Sequence, residues 1–141
     1  MSPSQNNKES ILGIDYGLVN TGIALCEDGV VSPLTIINSK NFNHLQSSLS
    51  SLVIKNKISK IVVGLPLSAN GSENPQTLKV RQFVNNLKKY IKVPIVFVNE
   101  YGSTQEFLAN GVVSNVSRKK VKNNDKYSAA LIIEYYLESL S

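Results

Sequence analysis

The run "SKIVVGLPL", residues 59–67, places the strongest constraint on what this chain can fold into. From Ile61 its apolar residues follow one another without polar alternation. That is the pattern of a short strand buried on both faces. Such a strand needs a layer on each side, and the neighbouring segments supply them. Upstream, Phe42, Leu45, Leu49, Leu52 and Val53 recur at helical spacing. Downstream, Asn74 is a suitable N-cap and Pro75 a suitable first helical residue, and Val80, Phe83, Val84 and Leu87 form an apolar stripe. "VPIVFVNE" then reads as a second buried strand.

The first forty residues have another rhythm. "ILGIDYG", "TGIALCED" and "GVVSPLTIINS" read as three strands with tight links. Gly29 in the link "EDG" tolerates the positive φ of a hairpin turn. An antiparallel meander is expected. Near the other end, "STQEFLANG" reads as a short helix, with Ser103 and Glu106 as a capping box and Gly111 as its stop. "SNVSRKKVKNN" reads as a basic loop, and "DKYSAALIIEYYLESL" as a final helix. The order β-β-β-α-β-α-β-α-α predicts an α/β fold, with a mixed five-stranded sheet covered by helices on both faces. A chain of 141 residues, 42% hydrophobic, suits one domain, read here as residues 11–141 behind a disordered polar tail of residues 1–10.

Three carboxylates stand where such a sheet carries its chemistry. Asp15 ends the first strand, Glu100 ends "VPIVFVNE", and Asp125 opens the last helix. Sites in open α/β sheets form at the carboxyl ends of strands. Asp125, Ala129, Ile132 and Tyr136 share one helical face, which is small and apolar enough to pack on the sheet. Three anions gathered at one edge repel each other unless a cation joins them. Carboxylate oxygens suit Mg²⁺ or Mn²⁺, and two such ions can serve phosphodiester cleavage. Each residue also has a plainer reading: Asp15 as a turn residue, Glu100 as a solvated strand end, Asp125 as an N-cap.

Four segments give the chain a family likeness. "LGIDYG" with "TGIAL", "IVVGLPLSANGSENPQT" followed by Val80, Arg81 and Phe83, "VNEYGST", and "DKYSAALIIEYYLES" together resemble the YqgF family of pre-16S rRNA nucleases. That family is also called Holliday-junction-resolvase-like and has the RNase H-like fold. The likeness extends over nearly everything from Ile11 to Ser139, and "VGLPL…G…PQT" is its most specific part. The resemblance implies that Asp15, Glu100 and Asp125 are the catalytic, metal-holding carboxylates. It implies metal-dependent hydrolysis of a nucleic-acid phosphodiester, with maturation of the 5′ end of the small-subunit rRNA precursor as the task. Two departures stand out: "GLVNTG" has no basic residue, and the family's Glu-Arg is Glu100-Tyr101 here, followed by Gly102.

The remaining expectations concern partners. Net charge is +5, compatible with nucleic acid. Arg118, Lys119, Lys120 and Lys122 in the basic loop, Ser103 and Thr104 after Glu100, and Arg81 on the exposed face of its helix are the candidate contacts to a structured RNA, or to a four-way DNA junction. The small-subunit precursor is a candidate partner, and the chain is expected to act as a monomer or homodimer. A catalytically inactive RNA-binding assembly factor is the third reading, motivated by Tyr101 and the missing basic residues. One cysteine, Cys26, no apolar leader and no long apolar run point to the cytoplasm, away from membranes. Cys26 itself is expected to pack as a small hydrophobe. His44 has no nearby Cys or His, so a zinc site is not expected.

Overall fold

A computed structural model describes residues 9–99 and 125–140. The expected tail, the helix "STQEFLANG" and the basic loop lie outside the described residues, except Glu9 and Ser10. These residues include five strands: β1 (Ile11–Asp15), β2 (Asn20–Glu27), β3 (Val30–Asn38), β4 (Lys60–Leu65) and β5 (Ile95–Asn99). Three helices accompany them: α1 (Phe42–Lys55), α2 (Pro75–Leu87) and α3 (Asp125–Ser139).

The strands form one sheet in the order β3-β2-β1-β4-β5. β1 and β2 are antiparallel, as are β2 and β3, which is the expected meander. The turn between Glu27 and Val30 has positive φ at both central residues, Asp28 (55°) and Gly29 (81°). That is the two-residue turn whose twist matches its flanking strands. β1 also pairs in parallel with β4, and β4 with β5. β1 therefore lies at the centre of a mixed sheet.

Period-two alternation divides the strand side chains between two cores. Leu12, Ile14, Ile23, Ile61, Val63 and Leu65 face α1 and α2, where they meet Leu45, Leu49, Val80, Phe83, Val84 and Leu87. Ile11, Ala24, Cys26 and Val62 face α3, where they meet Ala129, Ala130, Ile132 and Ile133. The apolar stripe expected on α2 and the packed face expected on α3 are both present. Cys26 is buried, and burial pushes its thiol pKa up. β4 is buried along most of its length, as its unbroken apolar run requires. β5 differs from expectation. Ile95–Val98 are only half-buried, and among the described residues β4 is the one strand that pairs with β5.

α2 begins at a capping box. The Asn74 side chain accepts from the Thr77 amide (3.0 Å), the Thr77 hydroxyl accepts from the Asn74 amide (3.1 Å), and Pro75 occupies the first turn. On β3 an extra residue, Leu34, sits between Pro33, opposite Ala24, and Thr35, opposite Ile23, and makes a bulge. No helix among the described residues is long and apolar enough to cross a membrane.

Candidate active site at the carboxyl edge of the sheet

β1, β4 and β5 run the same way, so Asp15, Leu65 and Asn99 end on one edge. Alternation settles which face Asp15 takes. Leu12 and Ile14 belong to the α1–α2 core and Ile11 to the α3 core. Asp15, like Ile11 and Gly13, is thus on the α3 face, half-buried at the end of its strand. It pairs with Gly22 on β2. On β4 the register Ile14↔Val63 brings Gly64 beside it. Both glycines are buried. The residues directly beside Asp15 on both adjacent strands are therefore glycines.

α3 is pinned at two points, and these fix its direction. Near the amino end of β4, Lys60 Nζ donates to Tyr136 Oη (2.7 Å) and lies 5.2 Å from the ring centre. That bond is the main cause of the raised Lys60 pKa, with Glu9 adding to it at 3.6 Å. At mid-strand, Ala129 and Ile133 close onto Gly13. A β-carbon there would lie 2.5 Å from Ile133 Cγ1 and 2.9 Å from the Ala129 carbonyl oxygen. The helix therefore runs from the carboxyl edge toward the amino edge, and Asp125, one turn before Ala129, opens it on the side of the sheet that Asp15 faces.

The turn after Asp15 is held on the other face. The Tyr16 ring stacks on Phe83 at 4.3 Å and 12°. Gly17 is required, since a β-carbon there would lie 2.4 Å from the Asn20 carbonyl oxygen. The Val19 carbonyl accepts from the Ser39 amide (2.8 Å), and the buried Thr21 and Ser39 hydroxyls share a 2.6 Å hydrogen bond.

The segment after β4 forms the neighbouring wall. The Ser68 amide donates to Ser72 O and the Gly71 amide to Ser68 O, both at 2.8 Å. Asn74 Nδ2 donates to Ser68 Oγ (2.9 Å), and the Thr77 hydroxyl donates to Pro66 O. Glu73 follows on this braced loop. Both of its carboxylate oxygens accept from Arg81 Nε at 3.0 Å, and one also accepts from Arg81 Nη2 at 2.5 Å. The Arg81 guanidinium lies 5.3 Å from the centre of the Phe97 ring on β5. Arg81 thus lies on the exposed side of its helix, as expected, but is not without contacts. Its guanidinium is held between a carboxylate and an aromatic face while its side chain stays open to water. The Arg81 hydrogen bonds hold the Glu73 carboxyl below its usual range.

Of the residues singled out in the sequence, Asp15 and the start of α3 at Asp125 fall on the same face and toward the same edge. Glu100, Ser103, Thr104, Arg118, Lys119, Lys120 and Lys122 lie outside the described residues. Among the described residues no three His, Cys, Asp or Glu side chains gather as a metal cluster. Gly22, Gly64 and Glu73 are not among the residues singled out in the sequence. The glycines stand inside apolar runs, a signal for close approach, but only the register shows what they flank.

Residues 9–139 match the family model RuvX, described as Holliday junction resolvase. The chain belongs to this family. It is 36% identical over 133 residues to a Mycoplasma mobile protein named as a pre-16S rRNA nuclease, covering 91% of each chain. A Caldanaerobacter subterraneus protein of the same name is 36% identical over 135 residues, covering 92% of this chain and 96% of the relative. Among solved structures, Thermus thermophilus RuvC in complex with a Holliday junction substrate superposes with a TM-score of 0.60 at 12% identity, covering 93% and 96% of the two chains. Fowlpox virus resolvase in complex with Holliday junction DNA gives 0.51 at 14%, covering 93% and 98%. At such identities the likeness is one of fold, and the fold is RNase H-like, as the family resemblance implied.

Proposed function

We propose that this RuvX-family chain is a divalent-metal-dependent endonuclease that processes the 5′ end of the pre-16S rRNA in the cytoplasm. The observation that carries the reading is the placement of Asp15. A central strand ends in a carboxylate on the α3 face, with glycine on both neighbouring strands, and α3 starts toward the same edge with Asp125. The names of the Mycoplasma and Caldanaerobacter relatives supply the substrate.

The residues at this edge suit a hard cation. Cys26 is buried in the α3 core, and His44 is exposed on α1, across the sheet. The donors left are carboxylate oxygens, the set that Mg²⁺ and Mn²⁺ prefer. Asp15, Asp125 and Glu100, the residue two beyond the α3-facing Val98, would hold the metal. When bound, a pair of such ions supplies an activated water and charge compensation for the departing oxygen. The chain's own contribution is position: Asp15 is fixed by β1 at the sheet centre, Asp125 by α3 pinned at Gly13 and Lys60. Ser103, Thr104 and the basic residues Arg118, Lys119, Lys120 and Lys122 would contact the nucleic-acid backbone, which positions substrate without reading sequence.

The test is cleavage of a labelled rRNA-precursor 5′ leader and of a four-way DNA junction, each with Mg²⁺ or Mn²⁺. Asp15→Asn is expected to lower cleavage by more than about 100-fold, since even the outer partners of metal ligands are worth 10–100-fold. Its thermal midpoint is expected to stay near the wild-type value. Unchanged cleavage would sink the mechanism. The family description favours a second reading, resolution of the junction itself. Two symmetric cuts call for a homodimer, so preference for the junction together with a dimer in solution would select it. Binding without cleavage under any divalent ion would select a non-catalytic assembly factor.

A further inference from the structure

We infer that Glu73 occupies, in the free protein, the place of a nucleic-acid phosphate, and that Arg81 on its Phe97 shelf is the receptor that a phosphate takes over on binding. This rests on the nucleic-acid reading above and names a subsite for it.

Three observations lead there. The first is charge. Between Ser39 and Asn99 the chain carries nine Lys and Arg, and Glu73 is the one acid. An isolated anion in so basic a segment draws attention to the cation it meets. The second is geometry. Glu73 takes Arg81 through Nε and Nη2 together, the two-pronged grip that carboxylates and phosphates share. The guanidinium is also held by the Phe97 ring, so it stays in place if the carboxylate leaves. The third is exposure. The side chains are 41% and 43% accessible. A pair so open to water is weak and readily exchanged. The rest of the 66–74 loop is tied down by its own hydrogen bonds, so its order does not depend on this pair.

Location fits the role. Phe97 lies two residues before the end of β5, and β5 is two strands from β1. At about 4.8 Å per strand spacing, that is about 10 Å of sheet, a few nucleotides of backbone. Phe97 packs on the α1–α2 face and Asp15 lies on the α3 face, so a nucleic-acid strand that reaches both would cross the carboxyl edge from one face to the other.

The exchange has a measurable signature. In the wild type, Arg81 leaves one anion for another, so the step releases almost no net counterion. With Glu73 neutral, Arg81 meets the phosphate as a free cation, and one counterion is released. Glu73→Gln is therefore expected to tighten binding about two- to fivefold, the range an exposed ion pair spans. It should steepen the slope of log affinity against log salt by about 0.7–0.9. In an Arg81→Gln background the same change should do neither, which separates exchange from a general gain of positive charge.

The experiment measures salt-dependent binding of the labelled rRNA leader by wild type, Glu73→Gln, Arg81→Gln and the double variant, each first checked by thermal melting. Should Glu73→Gln fold poorly, Glu73→Ala completes the same cycle. An equal effect of Glu73→Gln in both backgrounds, or no effect in either, overturns the inference while leaving the nuclease reading intact. A wild type that binds neither the RNA leader nor the DNA junction at any salt removes the nucleic-acid reading, and this subsite with it.

Discussion

Where α1 and α2 cover the sheet, the filling is large and branched: Leu12, Ile14, Leu45, Leu49, Phe83 and Leu87 interdigitate across a broad layer. Where α3 covers it, much of the filling is small. Gly13 admits the Ala129 backbone, and Ala24, Cys26, Ala129 and Ala130 line the contact. The first arrangement removes more apolar surface from water, the main favourable term in folding. The second brings a helix axis close to the central strand, at the position that sets Asp125 relative to Asp15. One face supplies more of the apolar filling, and the other a close helix approach; under the proposed function that approach would have to hold the groups within about 0.5 Å.

Substitutions on the two faces test this division. On the α1–α2 face, Leu49→Ala is expected to cost about 2–5 kcal/mol of stability in a denaturant titration. Cleavage per folded molecule should be unaffected, and a parallel loss of cleavage would break the division. On the α3 face, Gly13→Ala inserts a methyl where Ile133 and the Ala129 backbone already stand. About 1–3 kcal/mol is expected from overpacking. Here cleavage should fall at temperatures where the variant is still fully folded, because α3 must shift. Full activity in a folded Gly13→Ala would show that the close approach is not needed.

The smallest effect concerns Cys26. Burial raises its thiol pKa above the ordinary 9.0. The neutral thiol is thus favoured in the folded chain. Its contribution is complete below the unfolded value and fades as pH rises through the raised one. Alkylation of Cys26 at mildly alkaline pH should accordingly be slow in the native protein and fast after denaturation. Rapid native labelling would mean that the α3 face opens readily.

The sequence carried the local elements well, because their signals are local. Asn74-Pro75 marks the start of α2 by its own hydrogen bonding, and Gly29 marks the hairpin by its φ. Asp28, also at positive φ, could not be told from an ordinary turn aspartate. Strand order was less legible. Nothing near Ile11 announces that β1 lies between β2 and β4, since that pairing joins residues some fifty positions apart. The apolar run of β5 does not disclose whether its strand has one neighbour or two. The Arg81–Glu73 pair is equally illegible in the sequence: eight residues apart, the two meet because the loop before α2 brings Glu73 back to the helix. Asp15 was visible from the start as a charge ending an apolar strand. Its flanking glycines gained meaning only from register.

An outermost strand can act as a template on which another chain lays down a strand of its own. Among the described residues β3 is such a strand, and it leaves Val30, Leu34 and Ile36 open to water. It spoils the template twice in succession. Pro33 withholds an amide hydrogen, and the extra residue Leu34 breaks the regular repeat that a copying strand would have to follow. The sheet can therefore end there without inviting growth from one molecule into the next.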